Sequence, residues 1–303
     1  MVAEYRTADT ATDGFAPEEV ALRPRQVRFD WEGSPLHWVP GDPYGAHAVT
    51  SLNLFVPVAE RWFSRVLVDA LDHVRDEFIR EEIVGFIGQE AVHAAGHERV
   101  LVEYLLRHGI DPAPFSRQLD WATGLYDQAL SRTSRRSRRK VLASAIHILC
   151  AAEHFTGVLG HWALNNSWDE LGVDPVLADF YRWHGAEEVE HRHVSFNVAK
   201  YFGMDYPAQA VAGTLVTVMV FALVFRGTKF LVRADPALPN LGYARLLCKL
   251  RASSRRGTVP GLGYLATSTL RLLRRDYSPV DEGSTAQAVA YLAASPAARA
   301  FHG

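Results

Sequence analysis

Cysteine is scarce in this chain: Cys150 and Cys248 are the two cysteines among 303 residues, and they form no Cys-x-x-Cys pair. This scarcity argues against a disulfide framework or a thiolate zinc site, and it favours the reducing cytoplasm. A large excess of positive or negative charge is also lacking, because the formal net charge is −2. The overall charge therefore indicates no nucleic-acid partner. Residues 1–25 lack the apolar core of a signal peptide and are expected to form a loose tail.

The chain does contain helical periodicity, and no strand-like alternation stands out beside it. Apolar residues recur at steps of three and four, and they predict helices over about 48–72, 76–108, 116–131, 138–165 and 175–202. A stretch rich in Pro, Gly and aromatic residues precedes the first helix and is typical of an extended arm. The pattern therefore predicts an all-α protein in three parts: tail and arm over 1–47, a helical bundle over 48–206, and an apolar, basic helical extension over 207–303. Order is expected to decrease after residue 276.

Four of the predicted helices carry acidic residues within apolar stripes. Glu60 and Glu153 are single acids, whereas Glu90 and Glu188 each begin a Glu-x-x-His motif. The i, i+3 spacing places both members of such a motif on one face of a helix. An unpaired buried carboxylate costs several kcal/mol, so acids at these positions indicate a ligand. The order Glu, Glu-x-x-His, Glu, Glu-x-x-His predicts a two-metal site inside a ferritin-like four-helix bundle with additional C-terminal helices.

The predicted metal ligands are Glu60, Glu90, His93, Glu153, His184, Glu188 and His191. His184 joins the set because it lies four residues before Glu188 and seven before His191, on one stripe of the helix. Glu187 offers a competing register on that helix, three residues after His184 and four before His191.

Three further residues are candidates for supporting roles. His97 lies one helical turn after His93, so it is either a partner of the ligands, such as a proton relay, or a packed histidine further along the bundle. Asp179 and Glu187 are candidates for orienting the ligand imidazoles from behind. The sequence leaves both assignments open.

Several long motifs carry a resemblance to a known family. They are VRFDWEGSPLHWVPGDP at 27–43, AERWF at 59–63, GFIGQEAVHAAGHERV at 85–100 and WHGAEEVEHRHVSFNV at 183–198. Through them, about residues 20–280 of the chain resemble the bacterial family catalogued as predicted metal-dependent hydrolases. The ligand order is also similar to that of the di-iron arylamine N-oxygenases, and this likeness implies a site of four carboxylates and three imidazoles. No substrate-binding residue carries over.

A carboxylate-rich site with imidazoles suits iron, manganese or zinc, and two iron ions are the first expectation. The main hypothesis is a di-iron oxygenase or oxidase that activates O₂ and acts on a small organic or lipid-like substrate with electrons from a donor. The alternative is a two-metal hydrolase, in which metal-bound hydroxide attacks an ester-like bond. A third hypothesis is a metal-storage or structural bundle.

Residues 210–225 carry no charge, but this run is shorter than the about 20 apolar residues that span a bilayer. The favoured interpretation is a helix buried against the bundle or in a homodimer contact. The alternative is a peripheral membrane contact through 208–275, because eleven Lys or Arg and one acid, Asp235, lie between Arg226 and Arg275. The expected location is therefore the cytoplasm, with membrane association as the alternative.

Overall fold

The computed structural model describes residues 21–300, apart from the side chains of residues 135 and 136, and all regular elements in that range are helical. The all-α prediction is therefore confirmed for the described residues. The expected tail over 1–20 and the last three residues lie outside them. The elements are α1 (Pro43–Thr50), a 3₁₀ turn (Ser51–Leu54), α2 (Val56–Leu71), α3 (Glu77–Arg99), a π-helical turn (Val100–Leu105), α4 (Ala113–Arg132), α5 (Arg135–Leu164), α6 (Trp168–Leu171), α7 (Pro175–His191), α8 (Val194–Tyr201), α9 (Tyr206–Ala234), α10 (Tyr243–Arg256), α11 (Leu262–Leu272), a 3₁₀ turn (Pro279–Asp281), α12 (Thr285–Ala294) and α13 (Pro296–Ala300).

Two of the predicted helices are interrupted. The helix predicted over 48–72 starts earlier, within the predicted arm, and breaks at Phe55, whose φ of −130° is not helical. Pro57 then lies in the first turn of α2, where the missing N–H leaves no hydrogen bond unmade. The single helix predicted over 175–202 is also wrong, because α7 ends at His191 and α8 begins at Val194. Asp174 caps α7 through its side chain, as the Asp-Pro sequence predicts.

The segment after residue 276 is helical and packs against α7, so the expectation of lower order is wrong for the part that the structure describes. Ala288 and Leu292 of α12 are buried. Tyr291 donates its hydroxyl to Asp179 Oδ1 at 2.7 Å, and the Ala297 N–H donates to Asp179 Oδ2 at 3.0 Å. Asp179 therefore holds the C-terminal helices in place and does not orient a ligand imidazole.

Four helices enclose the centre of the molecule: α2 packs along α3, α5 packs along α7, α2 meets α5, and α3 meets α7. Two apolar clusters fill the two ends of this arrangement. The ring centroids of Trp183, in one cluster, and His93 lie 5.2 Å apart. Those of Phe86, in the other cluster, and His191 lie 4.5 Å apart. His93 and His191 therefore lie between the two apolar clusters.

The crossing of α5 and α7 is set by a pair of glycines, Gly160 and Gly185. A Cβ at Gly185 would lie 2.6 Å from the Gly160 Cα, and a Cβ at Gly160 would overlap the Gly185 carbonyl oxygen. These are backbone atoms, so a side chain at either position pushes the two helices apart.

We expect Gly160→Ala to lower the free energy of unfolding by about 1–3 kcal/mol, because overpacking outweighs the better helix propensity of alanine. Gly124→Ala is the matched control. Gly124 also lies inside a helix, but a Cβ added there would meet only open space, so alanine should stabilise by up to about 1 kcal/mol. Urea denaturation of both variants measures the difference, and equal effects would contradict the close crossing.

α9 lies at the surface. By length and composition, two helical segments of the described chain could cross a membrane, Ser137–Leu164 and Tyr206–Ala234. Of the 18 most apolar consecutive residues, 61% are buried in the first segment and 22% in the second. One face of α9 packs against α5 and α1, where Ala212 and Val216 are buried, whereas the opposite face is exposed, so the helix over 210–225 is half-buried and not fully buried as expected. A dimer contact and a membrane contact stay predictions.

Candidate metal centre

The structure brings six of the seven predicted ligands together from three helices, and Glu153, on a fourth helix, lies within range of the charges of Glu188 and Glu90 without joining either group of converging donor atoms. Glu60 lies on α2, Glu90 and His93 on α3, Glu153 on α5, and His184, Glu188 and His191 on α7. All seven are buried. Donor atoms lie within 4.8 Å of one another in two groups, Glu60–His93–His184–Glu188 and Glu90–His93–Glu188–His191. Because His93 and Glu188 belong to both groups, the arrangement offers two adjacent cation positions. The role of each residue as a ligand stays a prediction.

Most carboxylate oxygens of this cluster lack hydrogen-bond donors, and the exception is Glu188 Oε1, which lies 2.7 Å from His184 Nε2. Neither oxygen of Glu60, Glu90 or Glu153 has a hydrogen-bond partner, and the same holds for Glu188 Oε2 and both ring nitrogens of His191. His191 Nε2 lies 3.2 Å from Glu188 Oε2 but is not directed along a hydrogen bond. Burying polar atoms without partners is expensive, so this donor set fits cations rather than protein donors. Oxygen and imidazole donors in these numbers suit a pair of iron, manganese or zinc ions.

Burial and neighbouring charges shift the pKa values of the glutamates in this cluster. Burial, and then the charges of Glu188 and Glu90, raise the pKa of Glu153 well above its ordinary value. Burial also raises the pKa of Glu60 to about 7. Burial opposes ionisation of Glu188 too, but the neighbouring imidazoles of His191 and His184 outweigh it and lower the pKa of Glu188. Without metal, the cluster therefore retains protons that bound cations would replace.

His93 is held from behind by Glu187. Its Nε2 lies 2.8 Å from Glu187 Oε2, whereas its Nδ1 lies 3.2 Å from Glu188 Oε1 and 3.5 Å from Glu90 Oε1. A carboxylate at Nε2 places the ring proton there and leaves Nδ1 facing the cluster, which is the arrangement that orients metal-binding histidines. The candidate role of Glu187 in orienting an imidazole matches this geometry, while Glu188 faces the cluster.

Arg25 completes this support, although no sequence motif marks it. Its Nη1 donates to Glu187 Oε1 at 2.9 Å, and its two terminal nitrogens donate to the carboxylate of Glu190 at 2.7 and 2.8 Å. Gln89 donates to the same carboxylate at 3.3 Å. The loose tail expected over 1–25 is therefore wrong at Arg25, which clamps the arm onto α7.

His97 lies behind His184 in the same way. Asn53 donates its amide N–H to Tyr181 at 2.6 Å, so its Oδ1 accepts the proton on His97 Nδ1, also at 2.6 Å. His97 Nε2 then accepts from His184 Nδ1 at 2.9 Å, and His184 Nε2 is left facing Glu188 Oε1 at 2.7 Å. Burial, and then the charge of nearby imidazoles, lower the pKa of His97 well below its ordinary value, which keeps this ring neutral. The geometry thus favours His97 as a partner of the predicted ligands over a merely packed histidine.

A third group of metal-binding side chains lies elsewhere, at His37, His47 and Asp235. The side-chain atoms that face one another already have hydrogen-bond partners, because the Nε2 atoms of both imidazoles hydrogen-bond Asp235 Oδ2, at 2.6 and 2.8 Å. These bonds tie the arm and α1 to the end of α9, and they explain the group without a metal.

A cavity of about 250 Å³ lies beside the cluster and reaches His97, His184 and Glu188. Its walls come from α1, α5, α9, α10 and α11 and are mainly apolar, with Phe155 and Val220 among them. An apolar molecule in this cavity would lie directly against the candidate metal ligands.

Comparison with known proteins agrees with this geometry. The family model described as predicted metal-dependent hydrolase matches residues 23–283. The chain belongs to this family. The resemblance stated from the sequence motifs is thereby confirmed, and the match to the predicted metal-dependent hydrolases covers the arm from Arg23 and all four helices of the cluster. No curated protein and no solved structure matches the chain.

Proposed function

We propose that α2, α3, α5 and α7 form a ferritin-like bundle around a two-metal centre. The order of the acidic motifs along the chain and the unpartnered carboxylate oxygens of Glu60, Glu90 and Glu153 support this assignment. His184 Nε2 and His93 Nδ1 both face the cluster, since a hydrogen bond on the opposite nitrogen holds each ring. His191 brings two unpartnered ring nitrogens. The centre would thus contain four carboxylates and three imidazoles.

We propose that this centre makes the protein a metal-dependent hydrolase that acts on an apolar, ester-like substrate. One observation carries the proposal: the apolar cavity ends on a buried set of metal-binding side chains, in a chain that belongs to the predicted metal-dependent hydrolases. A bound metal pair would supply an activated water and a Lewis acid. The protein supplies the rest: Glu187 and Arg25 orient His93, Asn53 and His97 orient His184, and the apolar walls exclude bulk water from the substrate.

An O₂-dependent oxygenase or oxidase is the second candidate, and the composition of the cluster favours it. Four glutamates with three histidines, beside a largely apolar cavity, suit iron in changing oxidation states. Bound iron would supply O₂ activation, with electrons from a donor protein or small reductant. The two candidates share the site and differ in metal and co-substrate.

Metal analysis of protein purified without oxygen tests the shared centre. We expect two metal ions per chain in the wild type, and fewer than one would contradict the two-metal proposal. A chelated, metal-free sample should lose all turnover and recover it when metal is returned.

The two candidates separate by their need for O₂. Zinc- or manganese-loaded protein that cleaves a medium-chain nitrophenyl ester under strict exclusion of O₂ would support the hydrolase. Iron-loaded protein that consumes O₂ with the substrate and a reductant, and has no anaerobic esterase activity, would replace the hydrolase with the oxygenase.

A further inference from the structure

α9 presents an apolar face that nothing covers in the described chain. Val211, Leu215 and Val218 recur at i, i+4 and i+7 and are between 55% and 69% exposed, and the more distal Phe221 is 41% exposed. Large exposed apolar side chains on one helix face are typical of a surface that meets another apolar phase.

The mouth of the cavity opens at this face. Phe221 of α9, Leu247 of α10 and Leu262 of α11 line the cavity, and each is also exposed to solvent. An apolar chain can therefore pass from the outer face of these three helices to His184 along mainly apolar walls.

Cations lie on α10, one of the helices that line this mouth. Arg251 lines the cavity itself, and Arg245, Lys249 and Arg255 are exposed on the same helix, α10. The single acid of the 226–275 segment, Asp235, is buried and occupied by His37 and His47, so it does not neutralise them.

We infer that the face formed by α9, α10 and α11 docks on an anionic lipid bilayer, and that the cavity receives the acyl chain of a membrane lipid. This inference rests on the proposed function for the identity of the substrate, but not for the docking itself. Apolar side chains would enter the interface, while each basic residue near an anionic surface strengthens binding by about fivefold. A two-fold contact between copies through this face would instead bring the α10 cations of both chains together, which is unfavourable.

Co-sedimentation of the full chain with vesicles tests the docking surface. We expect binding to vesicles of phosphatidylglycerol and phosphatidylcholine, little binding to pure phosphatidylcholine, and weaker binding at high salt. The double variant Lys249→Glu/Arg255→Glu should bind at least about 20-fold more weakly, and Val211→Glu/Val218→Glu should also lose binding. Matched controls are Arg107→Glu and Val102→Glu, which are exposed outside this face and should bind as the wild type does.

Two further readouts separate the possible failures. The docking variants should keep wild-type metal content and turnover of a soluble short-chain ester, but lose turnover of lipid in vesicles. Absence of vesicle binding by the wild type, or a dimer in sedimentation velocity that Val211→Glu/Val218→Glu abolishes, would overturn the inference. Salt-sensitive vesicle binding by a protein with no turnover of either substrate would retain the docking surface and overturn the proposed function.

Discussion

Glu153→Gln is expected to stabilise the metal-free protein and to weaken its metal binding. Glu153 is buried, neither of its oxygens has a hydrogen-bond partner, and burial and neighbouring carboxylates raise its pKa. Glutamine is neutral without taking up a proton on folding, so the substitution should raise the free energy of unfolding in chelator by about 1–3 kcal/mol. Added metal, which stabilises a protein by about 2.7 kcal/mol at 100 times Kd, should stabilise this variant much less. Urea denaturation with chelator and with metal measures both effects.

The gain from Glu153→Gln should depend on pH. Because the pKa of Glu153 is raised in the folded state, the carboxyl group is neutral in both states below the unfolded value of about 4.5, and the substitution then changes little. The penalty of the carboxyl group grows as the pH rises from there toward the folded pKa. The stabilisation should therefore be small near pH 4 and larger at pH 7, and the opposite trend would contradict the assignment.

Glu190→Gln is the matched control, because this glutamate is as buried as Glu153 but fully paired. Both of its oxygens accept from Arg25, and one also accepts from Gln89. The substitution leaves Arg25 with a neutral partner, so it should lower the free energy of unfolding by about 2–3 kcal/mol, allowing for the partial exposure of Arg25. Stability changes of the same sign in the two variants would mean that metal binding does not explain the unpaired oxygens of Glu153.

Arg25→Met should destabilise the fold and reduce metal affinity together. Methionine keeps much of the apolar stem but leaves the carboxylates of Glu187 and Glu190 buried without their cation, at a cost of about 2–4 kcal/mol. Glu187 orients His93, and loss of such support reduces metal affinity by about 10- to 100-fold. Competitive metal titration and urea denaturation measure the two effects. Arg28→Met, at an exposed position of the same arm, is the control. Unchanged metal affinity in Arg25→Met would show that the arm does not support the metal site.

The sequence was sufficient to predict six of the side chains that lie together in the cluster, because their information is local, while their role as ligands stays a prediction. A Glu-x-x-His spacing fixes a helix face, and an acid such as Glu60 within an apolar stripe has few explanations besides a ligand. The start of α7 was predictable for the same reason, because Asp174 and Pro175 are adjacent in the sequence. Helix breaks were less evenly predictable: Pro57 indicates a kink or a late start near Phe55, but the division of α7 from α8 at His191 carries no glycine or proline signal.

Contacts between distant parts of the chain could not be predicted. Arg25 and Glu187 are 162 residues apart, and nothing in the arm's sequence distinguishes Arg25 from its neighbouring arginines. The fit between Gly160 and Gly185 depends on where two helices cross, which periodicity does not fix. The packing of α12 was not predicted because its buried side chains are mostly small, so its apolar signal is weak.

The clamp made by Arg25 also implies an order of assembly during synthesis. Arg25 leaves the ribosome early, whereas its partners on α7 follow about 160 residues later, so the arm waits for most of the chain before it can close. Until then the helices that carry Glu60, Glu90 and His93 can form without the arm in place. We expect cations to enter after α7 has packed and before the arm docks, so that a fully matured chain exchanges its metal slowly. Isotope exchange of bound metal, compared between the wild type and Arg25→Met, would report that difference as a rate.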